Sequence, residues 1–181
     1  MELRTLLDQA PLRVSWETYG NGPDAFEIEL RVLSRSEVQG MARKITRRVP
    51  DREPDGKQVW REQADNTKYR EFLAEHAIVS WRGLTVGAAL RYLQRSPAGI
   101  KPEVLAAEME ASPANKAIML EDARGKCFVD DEDGSGKQHL ETITFEDFVW
   151  QKVTQLSDDR AVEEVREKNG LPPTREDTSA S

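Results

Sequence analysis

Apolar and polar residues alternate twice near the start of the chain. Leu12, Val14 and Trp16 are set against Arg13, Ser15 and Glu17; Phe26, Ile28, Leu30 and Val32 are set against Glu27, Glu29 and Arg31. A period of two marks half-buried strands. The intervening GNGPD is turn chemistry, so the two stretches predict a β-hairpin. SRSE then predicts a helix start, with Ser34 as cap and Glu37 closing a capping box. Val38, Met41, Ala42, Ile45 and Val49 fall at i, i+3, i+4, i+7 and i+11, one apolar stripe. Pro50 predicts its end. The hairpin and this helix occupy 12–49, and the polar, Pro- and Gly-containing PDREPDGKQ opens a mobile connector over 50–66.

From 67 to 168 the pattern reads as helical. Tyr69, Phe72, Leu73 and His76 share a face, and the helix is expected to run through AIVSWRG to a stop at Gly83. Thr85 caps a short helix with Val86, Leu90 and Leu93. Pro102 suits the first turn of the next, and Ser112 with Pro113 signals another, ending at Gly125. KCFVD and QHLETITF predict a second hairpin, near 126–145. Thr144 caps an amphipathic helix with Phe148, Val149, Val153 and Leu156. A separate charged helix follows from 157 to about 168, and LPPTREDTSAS places a disordered tail at 169–181. The expected fold class is α+β, mainly α-helical: an N-terminal β-hairpin, then a helical bundle with a short hairpin, in one domain over 1–168.

Composition narrows the function classes. Charged residues make up 33% of the chain, hydrophobic residues 38%, and the net charge is −7, which argues against a general nucleic-acid binder. No apolar run is long enough to predict a transmembrane helix, and MELRTLLDQAPL does not read as a signal peptide. One cysteine, Cys127, permits no disulfide within the chain. Residues 35–61 carry a local charge of +4, from eight Lys/Arg and four Asp/Glu. Residues 103–147 carry −8, from four and twelve. A surface with faces of opposite sign suits docking or self-association, and a solvated surface equally.

DEDGSGKQHLET resembles a calcium loop at first sight. Asp131, Asp133 and Ser135 alternate and Gly136 supplies the turn, but the loop needs an apolar residue at its eighth position and a bidentate Glu at its twelfth. Gln138 and Thr142 stand there. A solvated hairpin loop is the better reading, and no metal or cofactor is expected. No catalytic constellation is evident: His76 reads as a core or edge histidine and His139 as exposed. Cys127 beside Phe128 reads as a small buried hydrophobe, and no Gly-rich phosphate loop or nucleophile elbow occurs. An enzyme is not expected. Arg43, Lys44, Arg47 and Arg48 are expected on one side of a helix, as a solvated face or docking patch. Among four tryptophans, Trp81 and Trp150 read as core anchors, while Trp60 lacks apolar periodicity around it. Trp60, Arg47, Arg48 and Tyr92 are the candidate partner-binding residues.

AFEIELRVLSRSEVQGM leads from strand into helix. Leu73, Ala74, Ile78, Val79, Trp81, Arg82, Gly83, Leu84 and Thr85 follow, and Phe145, Val149 and Trp150 come later. Over 25–157 this order resembles the tail assembly chaperones of long-tailed bacteriophages; the hairpin near 126–145 departs from that pattern. The resemblance implies a non-enzymatic protein in the cytoplasm of an infected bacterium. Its partner would be the helical tape-measure protein, kept soluble during assembly, with the tail-tube protein as a second candidate partner. A structural virion component, such as a tail-completion or connector subunit, is the alternative; a calcium-binding interaction module ranks below both.

Overall fold

The computed structural model describes residues 13–52, 54, 56–130 and 138–168. Strands β1 (Val14–Tyr19) and β2 (Phe26–Arg31) form the expected hairpin, joined through a 3-10 turn at Gly22–Asp24. Helix α1 (Arg35–Ile45) follows, with its capping box formed: Ser34 Oγ accepts from the Glu37 backbone N–H, and the Glu37 carboxylate accepts from the Ser34 backbone N–H. The chain is nevertheless not mainly a helical bundle. Among the described residues 49% are helical and 32% strand, with three small sheets.

The fold departs from that expectation in three places. First, α1 stops at Ile45, where Thr46 turns extended and its hydroxyl donates to Ala42 O at 2.7 Å. The expected connector is instead an antiparallel ribbon, β3 (Thr46–Arg52) and β4 (Gln58–Ala64), closed at its root by Asp65 N–H donating to Ile45 O at 2.7 Å. That bond sets the alternation of the ladder, and at Pro50 the backbone nitrogen points away from β4, a position a proline tolerates. Second, the helix expected through residue 83 is short. Helix α2 (Asn66–Phe72) widens into a π turn at Leu73–Ala77, and β5 (Ile78–Arg82) joins β2. Lys116 Nζ donates to Ala74 O, Ile78 O and Val79 O at 3.4, 2.6 and 3.2 Å, satisfying carbonyls released where helix becomes strand. Third, the two expected C-terminal helices are one, α6 (Phe145–Lys168).

Between these lie α3 (Val86–Tyr92), α4 (Pro102–Ala106) and α5 (Pro113–Asp122), the first and last capped by Thr85 and Ser112 as the sequence predicts. The second hairpin pairs β6 (Arg124–Asp130) with β7 (Gln138–Thr144). Its loop, including the calcium candidates Asp131, Asp133 and Ser135, lies outside the described residues, as does the tail at 169–181. Strands rather than helices flank that loop, and among the described residues no cluster of His, Cys, Asp or Glu could hold a metal ion.

The main sheet has the order β1-β2-β5. Phe26, Ile28 and Leu30 of β2 point inward against Phe145, Phe148, Val149 and Val153 of α6 and Leu73 and Ala77 of the π turn, all buried. Tyr19 sits at the centre, its ring 5.0–5.6 Å from those of Phe26, Tyr92, Phe145 and Phe148. Trp81 is buried as expected, but on β5; Trp150 is half-buried against the Tyr69 ring. No described helix is long and apolar enough to cross a membrane.

Candidate binding cleft and arm

Helix α1, the β3–β4 arm and α2 form one continuous unit, and a cleft of about 620 Å³ opens between the two helices. Leu33, Met41, Ile45 and Phe72 give it an apolar floor; Lys44, Lys68, Glu71, Glu75 and His76 stand along its rim. Gly40 lies in the cleft wall, and a Cβ built there meets nothing within 4 Å. At the end near Arg31, Glu37 is held by an ion pair at 2.9 Å. Burial pushes the Glu37 carboxyl up, but hydrogen bonds from Ser34 and the charge of Arg31 outweigh burial and hold it below the usual carboxylate range. The His76 ring lies tilted against Phe72, with ring centroids 4.9 Å apart, and is exposed at the rim rather than in the core.

The arm carries three of the four candidate residues. Directly opposed residues of an antiparallel pair share a face. Arg48 opposite Glu62 and Trp60 opposite Pro50 therefore lie on one face, and Arg47 opposite Gln63 lies on the other. The expected single basic helix side is thus divided: Arg43 and Lys44 are helical, Arg47 and Arg48 are on opposite faces of a strand. Trp60 is 64% exposed. Beside α1, Ala42, Arg43, Thr46, Arg48 and Glu62 line a second, shallower groove of about 360 Å³ on the Trp60 face.

Tyr92 is placed elsewhere. It is 7% exposed, its ring packs on Tyr19 and Phe26, and its hydroxyl donates to Asp24 O at 2.7 Å. It is a core residue. Sequence reasoning missed the cleft itself, because it forms only where α1 and α2, separated in the chain by the β3–β4 arm, come together. Cys127 is 2% exposed and accepts from the Gly20 backbone N–H at 3.2 Å, and burial pushes its thiol up, the opposite of an activated nucleophile.

Comparison of the chain with protein-family models, with curated proteins and with solved structures yields no match.

Proposed function

We propose that this protein is a non-enzymatic tail assembly chaperone of the long-tailed phage type, which binds the helical tape-measure protein through the α1–α2 cleft and the adjoining arm. The observation that carries this reading is the cleft: an apolar floor open to solvent, edged by charges of both signs, at the root of an arm bearing an exposed tryptophan. One apolar stripe of an amphipathic helix fits such a floor, with its flanking charges meeting the rim. Covering such stripes keeps a long helix from self-associating. The resemblance over 25–157 supports the same partner.

The test is co-expression with the longest helix-rich protein encoded nearby, followed by capture and light scattering. A soluble complex is expected, with that partner insoluble when alone. A Cβ at Gly40 has open space around it, so Gly40→Phe should place a ring at the cleft wall, keep the helix, since glycine is a poor helix former, and abolish the complex. Trp60→Ala should keep the fold and weaken binding by roughly thirtyfold, about 2 kcal/mol, as for an anchor residue. A complex indifferent to Gly40→Phe refutes the cleft, and a discrete ring of this chain alone moves the assignment to a structural virion subunit.

A further inference from the structure

The two edges of the main sheet are treated differently. On the β5 side, Lys116 occupies the carbonyls of Ile78 and Val79, Met109 N–H donates to Leu84 O, and Trp81 Nε1 donates to Met109 O at 2.6 Å. On the β1 side, no strand lies beyond β1 among the described residues. Val32 N–H donates to Arg13 O at 2.8 Å. By the alternation of an antiparallel ladder, Arg13, Ser15, Glu17 and Tyr19 then bond to β2, while the N–H and C=O groups of Val14, Trp16 and Thr18 point outward. The side chains of those same three residues lie on the outer face of the sheet, where Val14 is 40% and Trp16 41% exposed. β1 has no proline, lysine or bulge of the kind that blunts an edge.

We propose that β1 is a self-association edge: two copies pair β1 against β1 antiparallel about a two-fold axis at Trp16, joining their sheets in the order β5-β2-β1-β1-β2-β5. The register follows from charge and parity. Centred on Trp16, the outward groups of Val14, Trp16 and Thr18 meet those of Thr18, Trp16 and Val14 of the second copy, so every one is bonded. On the inner face Glu17 then lies opposite Ser15 of the second copy. A register centred on Glu17 would oppose two carboxylates, which is unfavourable. Within one chain Glu17 already accepts from Ser15 Oγ at 2.9 Å and lies 3.5 Å from Lys152, so it selects the register without blocking the edge. On the outer face the two Trp16 rings meet at the axis, each backed by its own Arg82 guanidinium at 4.4 Å from the ring centroid. An isologous contact of this kind closes at two copies. Six residues a side bury less than a standard interface, so the dimer should be of micromolar strength. This inference does not rest on the chaperone reading.

Sedimentation velocity of the full chain, from low-micromolar to several hundred micromolar, tests it. A monomer–dimer equilibrium is expected. Thr18→Pro removes an outward N–H and leaves the β1–β2 ladder intact, so it should give a monomer with unchanged circular dichroism. Should that variant not fold, Trp16→Glu, which opposes two carboxylates at the axis, should weaken the dimer at least tenfold. Trp16→Cys should cross-link to itself on mild oxidation, because paired positions at the axis meet disulfide geometry, while buried Cys127 does not compete. A monomer at every concentration overturns the proposal. So does a dimer that survives these substitutions, or one that Trp16→Cys fails to cross-link.

Discussion

The chain has three tyrosines, and the fold holds all three above their ordinary pKa. Burial is the main cause in each case. The neighbouring Cys127 adds to it at Tyr19, Glu146 at Tyr69 and Asp24 at Tyr92. A raised tyrosine pKa means that the neutral phenol belongs to the folded state. Its contribution is fully present below the unfolded value of about 10 and is lost as pH rises toward the folded value. Each tyrosine kept neutral in the fold but ionised in the unfolded chain removes about 1.4 kcal/mol per pH unit above about 10. Tyr19 and Tyr92, both buried, together remove about 3 kcal/mol at about pH 11 and about 5–6 kcal/mol at about pH 12. Half-buried Tyr69 adds less. Cys127, also raised, acts in the same sense and begins lower, above about 8.5. Lys116 opposes them, because burial lowers its pKa and the folded state gains as pH rises toward the unfolded lysine value. The net sign is loss, on the scale of a domain's total stability of about 5–15 kcal/mol. The assay is tyrosinate absorbance followed together with far-ultraviolet circular dichroism through an alkaline titration. The two signals should change together, well above pH 10, with almost no tyrosinate before helix is lost. Tyrosines titrating near their free value while the dichroism stays native would refute the packing of the Tyr19 cluster.

Two further outcomes follow from the same coordinates. A Cβ at Gly125 would sit 2.9 Å from Cε1 of both Tyr19 and Tyr92. Their hydroxyls are anchored to Ile143 O and Asp24 O, so the rings cannot yield freely. Gly125→Ala should therefore cost about 1–3 kcal/mol by overpacking, read by denaturant unfolding; an unchanged midpoint would sink the argument. In amide exchange the β3–β4 arm should lose protection far faster than β1–β2–β5, since a two-stranded ribbon is marginal by itself, and should slow when the proposed helical partner is bound. Equal protection in the free protein would contradict an arm that stands apart from the core.

What could be read from the sequence was whatever one-sided burial had written into it. The first hairpin has a wet face and a dry face, so Phe26, Ile28 and Leu30 alternate with charges. The caps at Ser34, Thr85, Ser112 and Thr144 are local chemistry and appear where expected. The arm left no such trace: neither of its faces packs on the core, so TRRVPDR and QVWREQA show no period, and Pro50 reads as a terminator although it sits in a strand. β5 was hidden for the opposite reason. Ile78 and Trp81 are three residues apart, a helical spacing that continues the stripe of Tyr69, Phe72, Leu73 and His76, and both are buried on β5 only because its register with β2 shifts between Ile78 and Ser80. Only the non-local partner β2, together with Lys116 from α5, decides where helix gives way. Of the candidate residues, Trp60 is exposed, although a tryptophan more often packs back onto its fold, while Tyr92 is buried by Tyr19 and Phe26, which are distant in the chain.

The uneven charge along the sequence also takes a different meaning in three dimensions. At least three of the eight basic residues at 35–61 are ion-paired: Arg35 with Asp158 at 2.9 Å, Arg61 with Asp51 at 2.9 Å, Arg48 with Glu62 at 3.8 Å. Arg70 of α2 answers the acidic stretch, 2.7 Å from Glu146 and 3.5 Å from Glu121. The exposed pairs of Arg35, Arg48 and Arg61 contribute little to stability, about 0–1 kcal/mol each, whereas Arg70–Glu146 is half-buried. The exposed pairs lower the positive field of α1 and the arm without cancelling it. What remains for recognition at the cleft is shape, an apolar floor and a rim of both signs. That combination suits the proposed amphipathic-helix partner, and the net charge of −7 over the whole chain does not favour a general nucleic-acid binder.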